Sequence, residues 1–332
     1  MTGEAERYLD LLGRPDRAAA VRLALDLVEQ GVPAAEVLTG LVCRGQEQVG
    51  RLWQAASWDV AREHAATAVS DAVVSAVGLA APPRTRTAGR VIVCCVEAEW
   101  HALPARIVAE VLELAGWDVT FLGASVPPAH LAQYLHDTGP DAVALSCSLA
   151  SALPRARRMV EACREAGVPV LVGGRGFGPD DLRARRIGAN AWAADAAGAV
   201  AVLQGWAPFA SPPPPVASAW LDEHARLAEA RPAVLEGALT ALAGAPWTSA
   251  YGAEQWERTR EDLGHLVDFL AATLYVDDER ILADYLAWCR EVLTARGVPY
   301  AALLAGLRAV RDALPVGLDH AAALLTAAIP LA

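Results

Sequence analysis

Apolar residues recur at three- and four-residue spacing through residues 4–12, 16–30, 34–54 and 59–79, which predicts four amphipathic helices and a small helical bundle. Asp16 and Asp59 stand where N-caps belong, and Pro33 suits a first helical turn. From residue 90 the pattern changes. Short apolar runs at 90–96, 117–123, 141–148, 168–174 and 189–195 alternate with helical segments such as PARIVAEVLELAG and PRARRMVEACREAG. Strands joined by helical crossovers imply a parallel sheet covered on both faces, hence an α/β Rossmann-like (flavodoxin-like) domain. Beyond residue 219 the helical spacing returns in six segments, at 220–231, 233–243, 254–274, 278–296, 300–314 and 318–328. Six helices in one stretch suggest an all-α, globin-like arrangement.

Two proline-rich breaks separate these regions, one at Pro82 and Pro83 and one at Pro212 to Pro215. Consecutive prolines favour extended, semi-rigid spacers. Three domains are expected: a helical cap over 1–85, the α/β domain over 88–206, and a helical domain over 216–332. The chain of 332 residues is 54% hydrophobic, yet charges interrupt every long apolar segment, so no membrane span is expected. The opening MTGEAERYLD lacks the layout of a signal peptide. Cysteines 43, 94, 95, 147, 163 and 289 sit in apolar runs, as small buried thiols of a reducing compartment would. These features point to the cytoplasm. Phosphate binding needs a concentrated basic face, so a net charge of -11 argues against a nucleic-acid partner.

In parallel sheets of this kind ligands bind beyond the carboxyl ends of the strands. The loops there read EAEWHALP, LGASVP with Ser125, SCSLAS and GGRG. A neutral imidazole is a good metal ligand when an acceptor holds its other nitrogen, and Glu99 lies two residues from His101. Gly173 and Gly174 permit close backbone approach, while Ser146 and Ser148 offer hydroxyls.

The spacing resembles the cobalamin-binding fold, whose signature is Asp-x-His-x-x-Gly, about forty residues, Ser-x-Leu and then a Gly-Gly pair. Here Glu99, His101 and Pro104 stand at the first motif, Ser146 to Ser148 at the second, and Gly173–Gly174 at the third. Three positions depart from the pattern: Glu99 for Asp, Pro104 for Gly, and Ser148 for Leu. The resemblance implies that His101 is the lower cobalt ligand and displaces the dimethylbenzimidazole of the cofactor. The tail of the cofactor would then enter beside the small residues. A plain flavodoxin-like domain with a surface histidine is the competing reading.

In the first domain Trp53 precedes Glu63–His64 by ten residues, within RLWQAASWDVAREHAA. This resembles the cap of adenosylcobalamin-dependent photoreceptors of the CarH type. The resemblance implies that Trp53 packs on the adenosyl group, that Glu63 bonds its ribose, and that His64 lies nearby. The histidine that follows the tryptophan in those receptors is Gln54 here. The C-terminal pattern HLVDFLAATLYVDDERILADYLAWCREVLTARGVP resembles globin-like sensor domains and the photocobilins, which pair cobalamin with a linear tetrapyrrole. His265, Tyr285, Trp288, Cys289 and Arg290 are then candidates for a bilin slot, with biliverdin as the expected chromophore. A dimerisation bundle would use the same apolar faces.

The expected function is therefore a cobalamin photoreceptor and signalling protein, not itself an enzyme. Light would cleave its cobalt–carbon bond, and its partner would be a second copy or a downstream protein. The alternative is a corrinoid methyl carrier or the cobalamin-binding subunit of an enzyme.

Overall fold

A computed structural model describes residues 2–82, 85–206 and 217–329. Pro83 and the Pro212–Pro215 run, read above as parts of linkers, lie outside the described residues. The chain divides into two compact units, residues 1–215 and residues 216–332.

The first unit begins with α1 (Thr2–Gly13) and α2 (Arg17–Glu29). α3 (Ala34–Val37), a π-helical stretch at Leu38–Cys43 and α4 (Arg44–Gln54) follow, and α5 (Val60–Ala80) completes the cap. Asp16 and Asp59 cap α2 and α5, accepting the N–H of Ala19 at 3.0 Å and of Arg62 at 2.7 Å. Pro33 is the N-cap of α3, one position before the first turn that its fixed φ suggests. The π stretch widens one turn midway along the expected 34–54 helix, as such bulges do.

Apolar side chains of α1, α2, the π-helical stretch, α4 and α5 form one core, with Leu12, Leu38, Leu41 and Val74 fully buried. Leu103, Ile107 and Val111 belong to the same core. They lie on α6 (Ala102–Leu114), the first crossover helix of the sheet. The cap is therefore packed directly onto one side of the α/β domain. The close passage of α5 over α6 is marked by Gly78, where a side chain would collide with the Glu110 carboxylate.

Strands β1 (Arg90–Cys95), β2 (Asp118–Gly123), β3 (Ala142–Ser146), β4 (Val170–Gly173) and β5 (Ala191–Ala193) form a parallel sheet in the order β2-β1-β3-β4-β5. The crossovers are α6, α7 (Pro128–Thr138), α8 (Leu153–Glu165) and α9 (Leu182–Ile187), and α10 (Ala196–Gln204) follows the last strand. β1, β3 and β4 are buried almost throughout, as strands covered on both faces must be. In this strand order the direction of winding reverses between β1 and β3, and the loops leaving those two strands part to form a crevice.

The second unit contains α11 (Leu221–Ala243), α12 (Ala253–Val276), α13 (Arg280–Ala295), α14 (Tyr300–Asp312) and α15 (Asp319–Ala328). Among the described residues these are five α-helices, not the six expected. The two segments expected on either side of Pro232 are one continuous helix with the proline inside it. Leu227, Val234, Leu270, Val310 and Leu325 are fully buried in its core. No helix among the described residues is long and apolar enough to cross a membrane.

Candidate cofactor site

The first strand delivers buried Cys94, Cys95 and Val96 to the top of the sheet, and the chain turns sharply through Ala98, whose φ is +61°. A left-handed alanine is uncommon and needs support from its surroundings. Ser125, itself at φ +52°, supplies it from the loop after β2. Its Oγ accepts the Ala98 N–H at 3.1 Å, and its own N–H donates to the Glu99 carbonyl at 3.0 Å. Ser125 therefore ties two loops together.

The turn drives Glu99 inward, to 2% exposure. Oε1 accepts both the His101 N–H at 2.9 Å and the His101 ring Nδ1–H at 2.5 Å. Oε2 accepts the Ser148 N–H at 2.7 Å. Burial pushes the carboxyl pKa up, but the hydrogen bonds from the His101 ring, the His101 N–H and the Ser148 N–H outweigh it and hold the group at about 2. Glu99 thus bridges the β1 and β3 loops as a carboxylate. Its bond to His101 raises the imidazole pKa, against the opposing effect of burial, and the Glu63 carboxylate on the cap adds to the rise. With the proton fixed on Nδ1, the Nε2 lone pair faces outward from a side chain that is 61% exposed.

Next to this bridge the backbone comes very close to itself. Gly173 pairs in register with Ser146, and the Cys147 N–H donates to the Gly173 carbonyl. Gly174 has φ +100° and ψ 163°, a conformation reserved for glycine. A Cβ there would lie 2.5 Å from the Cys147 carbonyl oxygen, and one at Gly176 would lie 2.9 Å from the same atom. Ser146 and Ser148 are half-buried on either side of the fully buried Cys147. Gly176 was not among the residues expected from the pattern. Neither was Arg183, which is buried and donates to the Gly176 carbonyl at 3.1 Å. The GGRGFG run and the arginine-rich helix after it carried that signal.

On the cap, Trp53 is half-buried at the end of α4, and Glu63 and His64 open α5. Both Glu63 oxygens are engaged: Oε2 with the His64 ring at 2.7 Å and Oε1 with the Thr67 hydroxyl at 3.0 Å. Thr67 also approaches Gln46, which donates to Ser70 at 2.7 Å, and Ser70 meets Tyr8 at 2.9 Å. A polar chain thus leads from the rim of the cap to its interior.

Residues 4–77 match one family model described as "B12 binding domain", and residues 89–203 match another with the same description. These two stretches are B12-binding domains. The imidazole held by a buried carboxylate and the glycine cradle beside it fit a corrinoid. The chain is 27% identical over 188 residues to dimethylamine corrinoid protein 1 of Methanosarcina mazei, covering 55% of this chain and 86% of that protein. It is 26% identical over 199 residues to the trimethylamine corrinoid protein of Methanosarcina barkeri, covering 57% and 89%. The fold matches the monomethylamine corrinoid protein of Methanosarcina barkeri with a TM-score of 0.53 and 20% identity, over 60% of this chain and 95% of that one.

These relatives correct the photoreceptor function expected from Trp53, Glu63 and His64. The relatives matched over 188 to 199 residues include corrinoid proteins of dimethylamine and trimethylamine, which favours the methyl-carrier alternative.

The five residues expected to line a bilin slot are not gathered round one cavity. Tyr285 and Cys289 face the core of the second unit, and the Tyr285 ring stacks on Phe269 with centroids 4.0 Å apart. Trp288 is 40% exposed, and the Arg290 guanidinium lies over the Tyr300 ring at 5.1 Å. His265 is exposed in a surface groove between α11 and α12, with Arg231 and Asp268. The Trp288 ring stays beside that of Tyr285, with centroids 6.2 Å apart, but Arg290, five residues on, leaves that side of the helix, so α13 does not turn all four residues to one ligand.

The Glu99–His101 pair has a definite pH signature in the cofactor-free protein. The lowered Glu99 pKa contributes stability that is present above about pH 4.3 and lost as pH falls towards 2. The raised His101 pKa contributes stability present below about pH 6.5 and lost as pH rises through the folded value. The combined contribution is greatest between these limits. Glu99→Gln should therefore lower the urea midpoint most between about pH 4.3 and 6.5 and converge on the wild type in stronger acid. A difference that stays constant down to about pH 2.5 would refute the assignment of the stabilising charge to Glu99.

Proposed function

We propose that this protein is a corrinoid methyl carrier, which receives a methyl group from a methylamine through a partner methyltransferase and presents it to a second partner. The observation that carries this reading is the match to dimethylamine corrinoid protein 1, which runs over 188 residues and spans 86% of that protein. The cofactor, when bound, supplies a cobalt centre able to hold a methyl group, in place of the 5′-deoxyadenosyl group expected from the cap.

The residues of the chain supply the rest. His101 would offer Nε2 to the metal, while Glu99 keeps the proton on Nδ1 and fixes the ring. The N–H of Ser148 holds the far side of the same carboxylate, so the ligand is braced from β3 as well as β1. Gly173 and Gly174, flanked by Ser146 and Ser148, would admit the nucleotide tail of the cofactor. Ser125 would keep the His101 loop in shape. Trp53, Glu63 and His64 would close the opposite side, with Glu63 held in place by Thr67.

The test is to load the purified chain with hydroxocobalamin, reduce it, and add a methylamine methyltransferase with isotopically labelled mono-, di- or trimethylamine. Label recovered on the protein-bound cofactor supports the reading and identifies the substrate. Absence of label with all three amines, on protein whose spectrum shows bound cofactor, would overturn it.

A further inference from the structure

Single exposed apolar side chains are common on a protein surface, whereas two that flank one polar site are informative, and such a pair stands at the top of this sheet. Among the described residues of the α/β domain, the large hydrophobic side chains that remain exposed are Trp100, at 75%, and Leu149, at 44%. They lie on different loops, but one hydrogen-bonded bridge joins those loops. Trp100 sits between Glu99 and His101, and Leu149 follows Ser148, whose N–H is held by Glu99 at 2.7 Å. Each apolar side chain is therefore one residue, about 3.8 Å of backbone, from an end of the bridge that orients the imidazole. The buried Glu99 between them fixes both loops, so the pair is presented by a braced backbone and not by a loose tip.

A ligand that bonds His101 Nε2 through its central metal must spread its macrocycle across the residues next to the histidine. A corrin is a wide, largely apolar plate, whereas a small anion or a lone metal ion would leave both side chains in water. We propose that Trp100 and Leu149 form the apolar floor against the lower face of the corrin, so that Trp100 is a cofactor-binding residue in its own right. This rests on the corrinoid reading of the site. The indole offers a flat surface for the macrocycle, and Leu149 extends it on the β3 side of the bridge.

The test compares the full chain with and without hydroxocobalamin by hydroxyl-radical oxidation and peptide mass spectrometry. Trp247 and Trp288, 45% and 40% exposed in the second unit, serve as references that correct for scavenging of radicals by the corrin. Oxidation of Trp100 should fall several-fold on loading relative to both references. Trp100→Ala and Leu149→Ala should each weaken binding by about tenfold, through lost apolar contact, and leave the cobalt spectrum of the saturated protein unchanged. Trp100→Phe should recover most of the affinity. Unaltered Trp100 oxidation in protein whose cobalt spectrum reports histidine ligation would overturn the floor and leave the corrinoid reading intact. Absence of any cobalt spectral change would overturn both.

Discussion

Replacing His101 with alanine is expected to abolish the histidine-ligated cobalt spectrum and to reduce methyl transfer through the protein by at least about 100-fold. The expectation follows from how the imidazole is held. Its Nδ1–H is fixed 2.5 Å from a carboxylate that is 2% exposed and also anchored to Ser148. Alanine removes the lone pair and leaves Glu99 with its Ser148 and backbone bonds, so the loops should survive. Some affinity should remain, because the glycine cradle and the apolar rim are untouched. Glu99→Gln should be milder, losing roughly 10- to 100-fold in affinity, since the ring would remain but would lose its charged acceptor. Absorption spectra of loaded wild type, His101→Ala and Glu99→Gln, recorded beside labelled-methyl transfer, check the order. A His101→Ala spectrum identical to wild type would remove His101 from the metal. Added imidazole should partly restore the spectrum, which a merely structural loss would not allow.

The strands of the first unit were legible because strands buried on both faces leave little choice of residue. RVIVCC, AVALS and VLVG read as continuous apolar runs, and turn chemistry bounds them. The Glu99–His101 pair was legible for a related reason. Two residues apart on a loop that follows a central strand, the side chains have few other partners, and the structure brings them together. The inward bond from Glu99 to Ser148 was not legible, because it depends on the adjacency of β1 and β3, which are separated by two crossover helices and a strand. The same limit hid the role of Ser125, whose hydroxyl faces the Ala98 N–H.

Other differences have local causes. Pro232 reads as a boundary, yet α11 runs through it, with Val234 and Leu235 continuing the buried face set by Leu227. Burial of that face outweighs the lost backbone bond. The π turn at Leu38–Cys43 has no compositional mark. Trp53 with Glu63–His64 suggested an adenosyl group because spacing reports only which side chains share one side of the cap. It does not report what lies beneath them. In the structure Glu63 is engaged with His64 and Thr67, contacts that a helical bundle can hold without any ligand. On α13, the Tyr285-Trp288-Cys289-Arg290 cluster was compact in sequence, but a helix turns successive residues by about 100°, which buries Tyr285 and Cys289, leaves Trp288 at the rim beside Tyr285 and carries Arg290 round to Tyr300.

Gly174→Ala is expected to cost about 3 kcal/mol of stability and to weaken cobalamin binding by at least about 100-fold. Two independent penalties act at this position. Its φ of +100° and ψ of 163° lie where side chains are not accommodated, and a Cβ would press to 2.5 Å from the Cys147 carbonyl oxygen. Relief requires the β4 loop to move away from Cys147, whose carbonyl also accepts the Gly176 N–H. That movement would disturb Ser148 and, through its N–H, the Glu99 carboxylate that orients His101. Loss of stability alone could weaken binding, so a control of similar or greater cost is needed. Leu145→Ala truncates a buried side chain inside β3, one residue before its end, and should cost about 2–5 kcal/mol without altering the backbone of the loops above. At a temperature where both variants are folded, Leu145→Ala should bind hydroxocobalamin within a few-fold of wild type, while Gly174→Ala should not. Calorimetric titration of the two variants decides between a local and a global effect. Equal loss of affinity in both would mean that the backbone contact at Gly174 serves the sheet and not the cofactor.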